Sequence, residues 1–334
     1  MLCKEKNWLA QVKLLFGKEK LADDQFNSWA AFHASFCPSP QHVVDAVALL
    51  SLFPKNAHSV ALVRHAMNVV NDVVRYLNPD QTPVIVVYQP RFALAKHNSM
   101  ELAGNPWRDY VVMFGGLHVE MVGLKALGEW LDGNGWVGVL SEAEVATPGT
   151  AESFLKVSHL AKARRAHQVT AAALHVLRQS VYDEYKASLP TTEQPLEYDK
   201  WCDKMTSEQP QFSFWSKVLK LELLMFELVR ALREGNFNSY VESVAAMMPW
   251  MFVLDHVNYV QWLSVSLVLM RSRVGLTKMC ASPMKSAVIR NMMLLCTWRN
   301  YPTFQKTVVL FIITCAFSHQ ICPLLQIKGG LIIV

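Results

Sequence analysis

No acidic residue follows Asp255 in this 334-residue chain. Eight of the 32 Lys and Arg residues lie beyond it, so residues 1–255 hold 24 basic against 27 acidic side chains and carry −3, although the whole chain carries +5. The basic character belongs to the C-terminal stretch, which excludes a nucleic-acid-binding reading founded on overall charge. The body has no continuous Lys/Arg stripe, and the cations of the tail are too scattered to track a phosphate backbone.

Other absences narrow the chemistry. The seven cysteines, at 3, 37, 202, 280, 296, 315 and 322, form no close CxxC array, so they read as reduced structural or incidental thiols and not as a zinc cradle or a disulfide framework. Cys37 lies near His33 and His42, but nothing around it activates a thiolate. GxGxxG and GxxxxGK[ST] are missing, as are HExxH and GxSxG, so neither a nucleotide cradle, a zincin helix nor a nucleophile elbow is encoded. Internal repeats and low-complexity tracts are also missing. The N-terminus has only a short apolar patch at 8–16 and no secretory leader pattern, which predicts an intracellular protein, nuclear or cytoplasmic.

Charge is scarce, at 18% of residues, whereas hydrophobic residues make up 52% and include 10 Trp, 16 Phe and 15 Met. Either the core is large or some apolar surface seeks a partner. The window 308–327 is long enough to span a bilayer, but Ser318, His319, Gln320 and Pro323 interrupt it. A buried or misassembled tail is therefore the main expectation there, with membrane insertion as the alternative.

The periodicity predicts a helix over 57–76, with Val60, Val63, Met67, Val70 and Val74 on one face. Residues 83–88 read as a buried strand, 91–100 as a helix and 110–114 as a second strand. Gly115-Gly116 permits a sharp turn into a helix over 117–131, placing His118 and Glu120 just beyond a strand end. Residues 136–140 are too few to assign. Helices are expected over 151–185, 212–234 and 238–247, the last ending before Pro249. Lys162, Arg164, Arg165 and His167 form a basic patch on the first of these, read as a solvated face or a contact for phosphate or an acidic partner.

These elements predict an α/β fold, a small central sheet with a substantial helical extension; the alternative is a mainly helical array with a minor sheet. The expected organisation is an N-terminal helical region over 1–76, a central α/β region over 77–186, a helical extension over 187–273 and an atypical basic, apolar tail over 274–334.

The stretches 82–96, 111–121, 128–136, 146–151, 164–170 and 255–262, with Gln89-Pro90, Gly115-Gly116-Leu117-His118 and Gly133-Asn134-Gly135-Trp136 among them, resemble a group of eukaryotic transposable-element-derived, transposase-like proteins. The resemblance runs over about residues 20–265. It implies a domesticated or residual element protein, with an RNase-H-like arrangement of the core. The group's pattern has an Asp immediately before Gln-Pro, where this chain has Tyr88. A neutral phenol cannot replace a carboxylate ligand in two-metal phosphoryl transfer.

The expected function is accordingly that of a non-catalytic or degenerate element-derived protein with no cofactor. One alternative is a Mg²⁺-dependent polynucleotidyl transferase or nuclease acting on nucleic acid. It would need Glu120 and Asp255 to converge as metal ligands, with His118 or His256 moving a proton. The other alternative is a helical scaffold for a protein partner, with Trp215, Phe226 and Trp250 in an exposed apolar groove.

Overall fold

The computed structural model describes residues 45–49, 59–77, 83–87, 89–101, 111–190, 192–234, 236–272 and 312–316. Over these residues the chain is mainly helical, with ten helices and a small two-stranded parallel sheet, so the mainly helical alternative fits and the sheet is the minor component. The chain divides into two compact units: Met1–Trp29 with Met121–Glu227, and Ala30–Glu120 with Leu228–Val334.

In the second unit β1 (Asp45–Leu49) and β4 (Ile312–Ala316) pair antiparallel, from Asp45 opposite Ala316 to Leu49 opposite Ile312. Helix α1 (Val60–Leu77) buries Val63, Met67, Val70 and Val74 as its period predicts, while Val60 is exposed. β2 (Val84–Val87), α2 (Gln89–Glu101) and β3 (Val111–Phe114) form a βαβ crossover, with Val84 opposite Val111 and Val87 opposite Phe114. This is the connection that parallel strands require. The Val111 N–H donates to the Pro83 carbonyl and the Gly115 N–H to that of Val87, which extends the ladder at both ends. β3 is buried along its whole length, but in β2 only Ile85 is, so the two-sided burial read for the first strand belongs to the second.

Phe92 stacks on Phe114 with centroids 3.9 Å apart, and Trp262 meets the edge of Phe92 at 6.0 Å. These contacts lay α10 (Val257–Ser272) on the βαβ unit; α9 (Phe237–Val253) precedes it. Helix α9 runs through Pro249 where the sequence predicted a stop before it. A proline inside a helix removes one ladder bond, and the buried row Tyr240, Val244, Met247 and Met251 holds the helix on either side of the gap.

Between β3 and α3 (Gly116–Leu131) the two glycines do not act by backbone freedom, because neither has a positive φ. A Cβ on Gly116 would overlap the Leu232 side chain, so a larger residue there would have to displace that side chain on α8 (Pro210–Glu234).

In the first unit, α4 (Trp136–Glu142) is the segment too short to assign from periodicity. The helix predicted over 151–185 is two helices, α5 (Pro148–Leu155) and α6 (Leu160–Ser188). α7 (Tyr198–Glu208) follows the connector after α6, and Tyr182 and Tyr185 fix that connector: the Tyr182 hydroxyl donates to the Leu196 carbonyl and the Leu196 N–H donates to Tyr185. Gly128 lies where a Cβ would overlap the Leu155 carbonyl, so α3 and α5 touch backbone to backbone.

Three helices end in the same way. After α4, α5 and α9, the residues Glu144, Val157 and Asp255 have φ of 56°, 53° and 58°. Each donates its N–H three residues back, to Ser141, Phe154 and Phe252, and the next N–H reaches five residues back, to Leu140, Ser153 and Met251. This is the Schellman pattern, whose left-handed position usually holds glycine. Here it holds residues that are less comfortable there.

Candidate functional site

His118 and Glu120 stand in the first turns of α3, where the Gly-Gly transition was expected to put them. His118 is half-buried and Glu120 has no solvent exposure. Asp255 instead occupies the exposed turn between α9 and α10, with its backbone closing the Schellman motif, and His256 supplies the carbonyl that accepts the first amides of α10. A Mg²⁺ site takes several oxygen ligands and keeps water on the ion. Glu120 is fully buried, and Asp255 is exposed. Among the described residues no group of three or more His, Cys, Asp or Glu side chains could hold a metal ion. Tyr88 and the Cys37, His33 and His42 cluster lie outside the described residues.

The titratable pair that the structure does bring together is His167 of α6 and Glu222 of α8. Nδ1 of His167 is 2.8 Å from Oε1 of Glu222, and both side chains are completely buried. Trp136 stacks on the imidazole at 5.1 Å and 22°, and its indole N–H donates to the Thr170 hydroxyl at 2.8 Å. That hydroxyl in turn donates to the Ala166 carbonyl, so the Trp136 ring is held from one side of α6. Nε2 of His167 and Oε2 of Glu222 have no partner. Burial pushes the Glu222 carboxyl up, and the neighbouring imidazole draws it part of the way back. Withdrawing both side chains from solvent raises the cost of a charged carboxylate, which the one hydrogen bond between them offsets only in part. The chemistry of the pair is that of a buried polar clasp between α6 and α8, beside a core of Ala171, Leu219, Leu223 and Phe226. Phe226 thus belongs to the core and not to an exposed groove, whereas Trp215 and Trp250 are half-buried.

The basic patch read on α6 is divided between two faces. Lys162 and Arg165 are exposed, and His167 points into the core. Beyond them the solvent side of α6 is apolar: Val169 and Val176 are each 38% exposed and Leu177 61%, with Ala173 exposed between them. Residues 169, 173, 176 and 177 recur at intervals that place them along one stripe. A helix lying on a core ordinarily turns polar residues to water, and this one does so only at the ends of the stripe. The sequence signal for the stripe is the spacing of 169, 173, 176 and 177, set beside a cluster of cations at 162, 164 and 165 that differ in helical phase.

The aromatic group at the end of α6, Tyr182, Tyr198, Trp201 and Phe212, is packed ring against ring, with Tyr182 4.9 Å from Tyr198 and 5.1 Å from Trp201. Arg178 donates from Nε to the Tyr198 hydroxyl, and burial raises both the Tyr198 phenol and the adjoining Cys202 thiol above their ordinary values. A raised thiol is a poor nucleophile, so Cys202 does not have the setting of a catalytic cysteine.

The fold and these sites define a mainly helical protein with one parallel βαβ unit and an apolar helix face turned to solvent. The chain belongs to the family described as a domain of unknown function (DUF8702), whose model matches residues 28–197 and 178–286. No curated protein and no solved structure matches it. In the tail, the described part of the 308–327 window is the strand Ile312–Ala316, and no helix among the described residues is long and apolar enough to cross a membrane.

Proposed function

We propose that this chain is a non-catalytic helical module that binds a protein partner through the exposed side of α6. The observation that carries the reading is the apolar stripe of Val169, Ala173, Val176 and Leu177 on a helix whose core contacts, from Ala163 to His175, are made by other residues. Leaving such a stripe in water forgoes burial that a partner would supply, at roughly 25 cal/mol per Å².

The ancestry among transposable-element proteins, and an RNase-H-like origin for the βαβ unit, are part of the same proposal. They rest on the residue pattern at 82–96 and 111–121. Tyr88 stands where that pattern has a carboxylate, and the burial of Glu120 together with the exposure of Asp255 supports a core that no longer assembles metal ligands.

Two measurements test the reading. A photo-crosslinking residue placed at Leu177 of the full chain, expressed in cells, is expected to give a protein adduct; no adduct under any expression condition contradicts partner binding. In a Mg²⁺- or Mn²⁺-dependent DNA cleavage and strand-transfer assay the purified chain is expected to be inactive. Activity that disappears in both Glu120→Gln and Asp255→Asn would restore the nuclease alternative.

A further inference from the structure

We infer that the occupant of the α6 stripe is a second copy of this chain, docked antiparallel across a two-fold axis near Ala173; the inference rests on the partner-binding reading above. Its basis is the order of side chains along the exposed side of α6. Lys162 and Arg165 stand at the N-terminal end, Val169, Ala173, Val176 and Leu177 in the middle, and Glu184 at the C-terminal end, all of them exposed.

A helix face that is basic at one end, apolar in the centre and acidic at the other is complementary to itself when reversed. In an isologous contact, residue i meets residue j while j meets i. An axis near Ala173 places Val169 of one copy against Leu177 of the other. It also brings Lys162 and Arg165 of each copy to Glu184 of its mate, so the same attraction forms twice. Ala173 at the crossing leaves room for close backbone approach, as small residues do at helix crossings.

The charges are available for this use. Among the described residues Lys162, Arg165 and Glu184 form no ion pair within the chain, whereas neighbouring Asp183 is taken by Lys186 at 2.7 Å. A parallel arrangement would set Lys162 and Arg165 of one copy against the same cations of the other, and the two acidic ends together, so charge selects the antiparallel form. Another exposed apolar group, Phe252, Val253 and Val257 at the α9–α10 turn, has no comparable order of charge, with Asp255 among them.

Residues 162–184 span about 33 Å of helix. One helix face of that length lies at the low end of specific interfaces, which predicts a reversible dimer with a dissociation constant in the micromolar range, roughly.

Sedimentation equilibrium on the full chain across a concentration series tests this. Wild type is expected to pass from monomer to dimer, and Leu177→Lys to weaken the dimer by about tenfold or more. Lys162→Glu with Arg165→Glu, or Glu184→Lys alone, is expected to weaken it by about three- to tenfold, with Leu177→Lys and the charge variants melting like wild type by circular dichroism. Mixing the Lys162→Glu/Arg165→Glu variant with the Glu184→Lys variant is expected to recover association, because each copy then meets its complement. A chain that stays monomeric at all concentrations overturns the inference, as does a dimer indifferent to these substitutions. If the Leu177 crosslinker captures a different protein while the chain stays monomeric, the second-copy inference fails and partner binding stands. No adduct from Leu177 together with a monomer removes both.

Discussion

Replacing Asp255 by glycine should make the protein slightly more stable, and replacing it by alanine should make it less so. Asp255 ends α9 with φ at 58°, its N–H and that of His256 closing the helix onto Phe252 and Met251, and its side chain is exposed. An L-residue in this conformation costs roughly 1–2 kcal/mol, somewhat less for aspartate, whose short polar side chain bonds locally. Glycine escapes that cost but loses about 0.5–1 kcal/mol more backbone entropy on folding. The difference predicts a gain of about 0–0.5 kcal/mol for Asp255→Gly and a loss of about 0.5–1 kcal/mol for Asp255→Ala. The sister positions calibrate the argument. Glu144→Gly should gain about 0.5–1 kcal/mol, because Glu144 is exposed and lacks the local bonding of aspartate. Val157→Gly should lose stability instead, because Val157 is buried and its side chain contributes about 1.5 kcal/mol or more. Urea unfolding followed by far-UV circular dichroism reads all four. If glycine and alanine at 255 lower stability alike, the carboxylate matters and the backbone explanation is wrong; a simultaneous loss of metal-dependent cleavage would return Asp255 to a catalytic role.

Three further outcomes follow from the first unit. His167→Ala leaves a fully buried carboxyl without its hydrogen-bond partner and should cost about 1–3 kcal/mol, whereas the double replacement His167→Leu/Glu222→Leu should cost less; a full cost in the double variant would mean the clasp itself is what holds α6 to α8. The Glu222 carboxyl is raised in the folded state, so its contribution is fully present below its ordinary range near 4.5 and is lost as pH rises through the folded value. Thermal melts of Glu222→Gln against wild type should therefore shift in favour of the variant between pH 4.5 and 8, and a constant difference across that span contradicts the raised carboxyl. Gly128→Ala drives a methyl into the Leu155 carbonyl, a backbone atom that cannot rotate away, and should destabilise by roughly 1–3 kcal/mol or prevent α5 from docking. A variant as stable as wild type would show that α3 and α5 have room to separate.

The parts of the fold that were legible in the sequence are those whose period is long or whose composition is uniform. The 63, 67, 70, 74 row of α1 and the long apolar pattern of α8 specify their elements by spacing, and the short apolar runs at 84–87 and 111–114 specify theirs by length and composition. The division of α5 from α6 was hidden because its turn carries neither glycine nor proline; Val157, a residue that avoids the left-handed region, makes it, held there by burial. Seven residues are too few for α4 to show a helical period, although buried Trp136 and Leu140 do lie four apart. The His167–Glu222 clasp joins residues separated by 55 positions, and no local pattern reports such a distance. One clue was available: Glu222 interrupts an otherwise apolar run from Leu221 to Phe226, and an ionisable side chain on a buried face implies a buried partner. Grouping His167 with Lys162 and Arg165 failed because proximity in sequence ignores helical phase, which sends His167 to the core and the two cations to water. Glu120 and Asp255 share only residue type in the sequence, and the fold gives them opposite exposure.

The most direct test of the whole account compares crosslinking from two positions of equal exposure. Leu177 on the α6 stripe and Val139 on α4 are both 61% exposed. With the photo-crosslinking residue at each in turn, in the full chain and in cells, Leu177 should give a discrete adduct with the mass of two chains and Val139 should give none. Equal adducts from both positions, or none from Leu177, would contradict an α6 face built to be covered by protein.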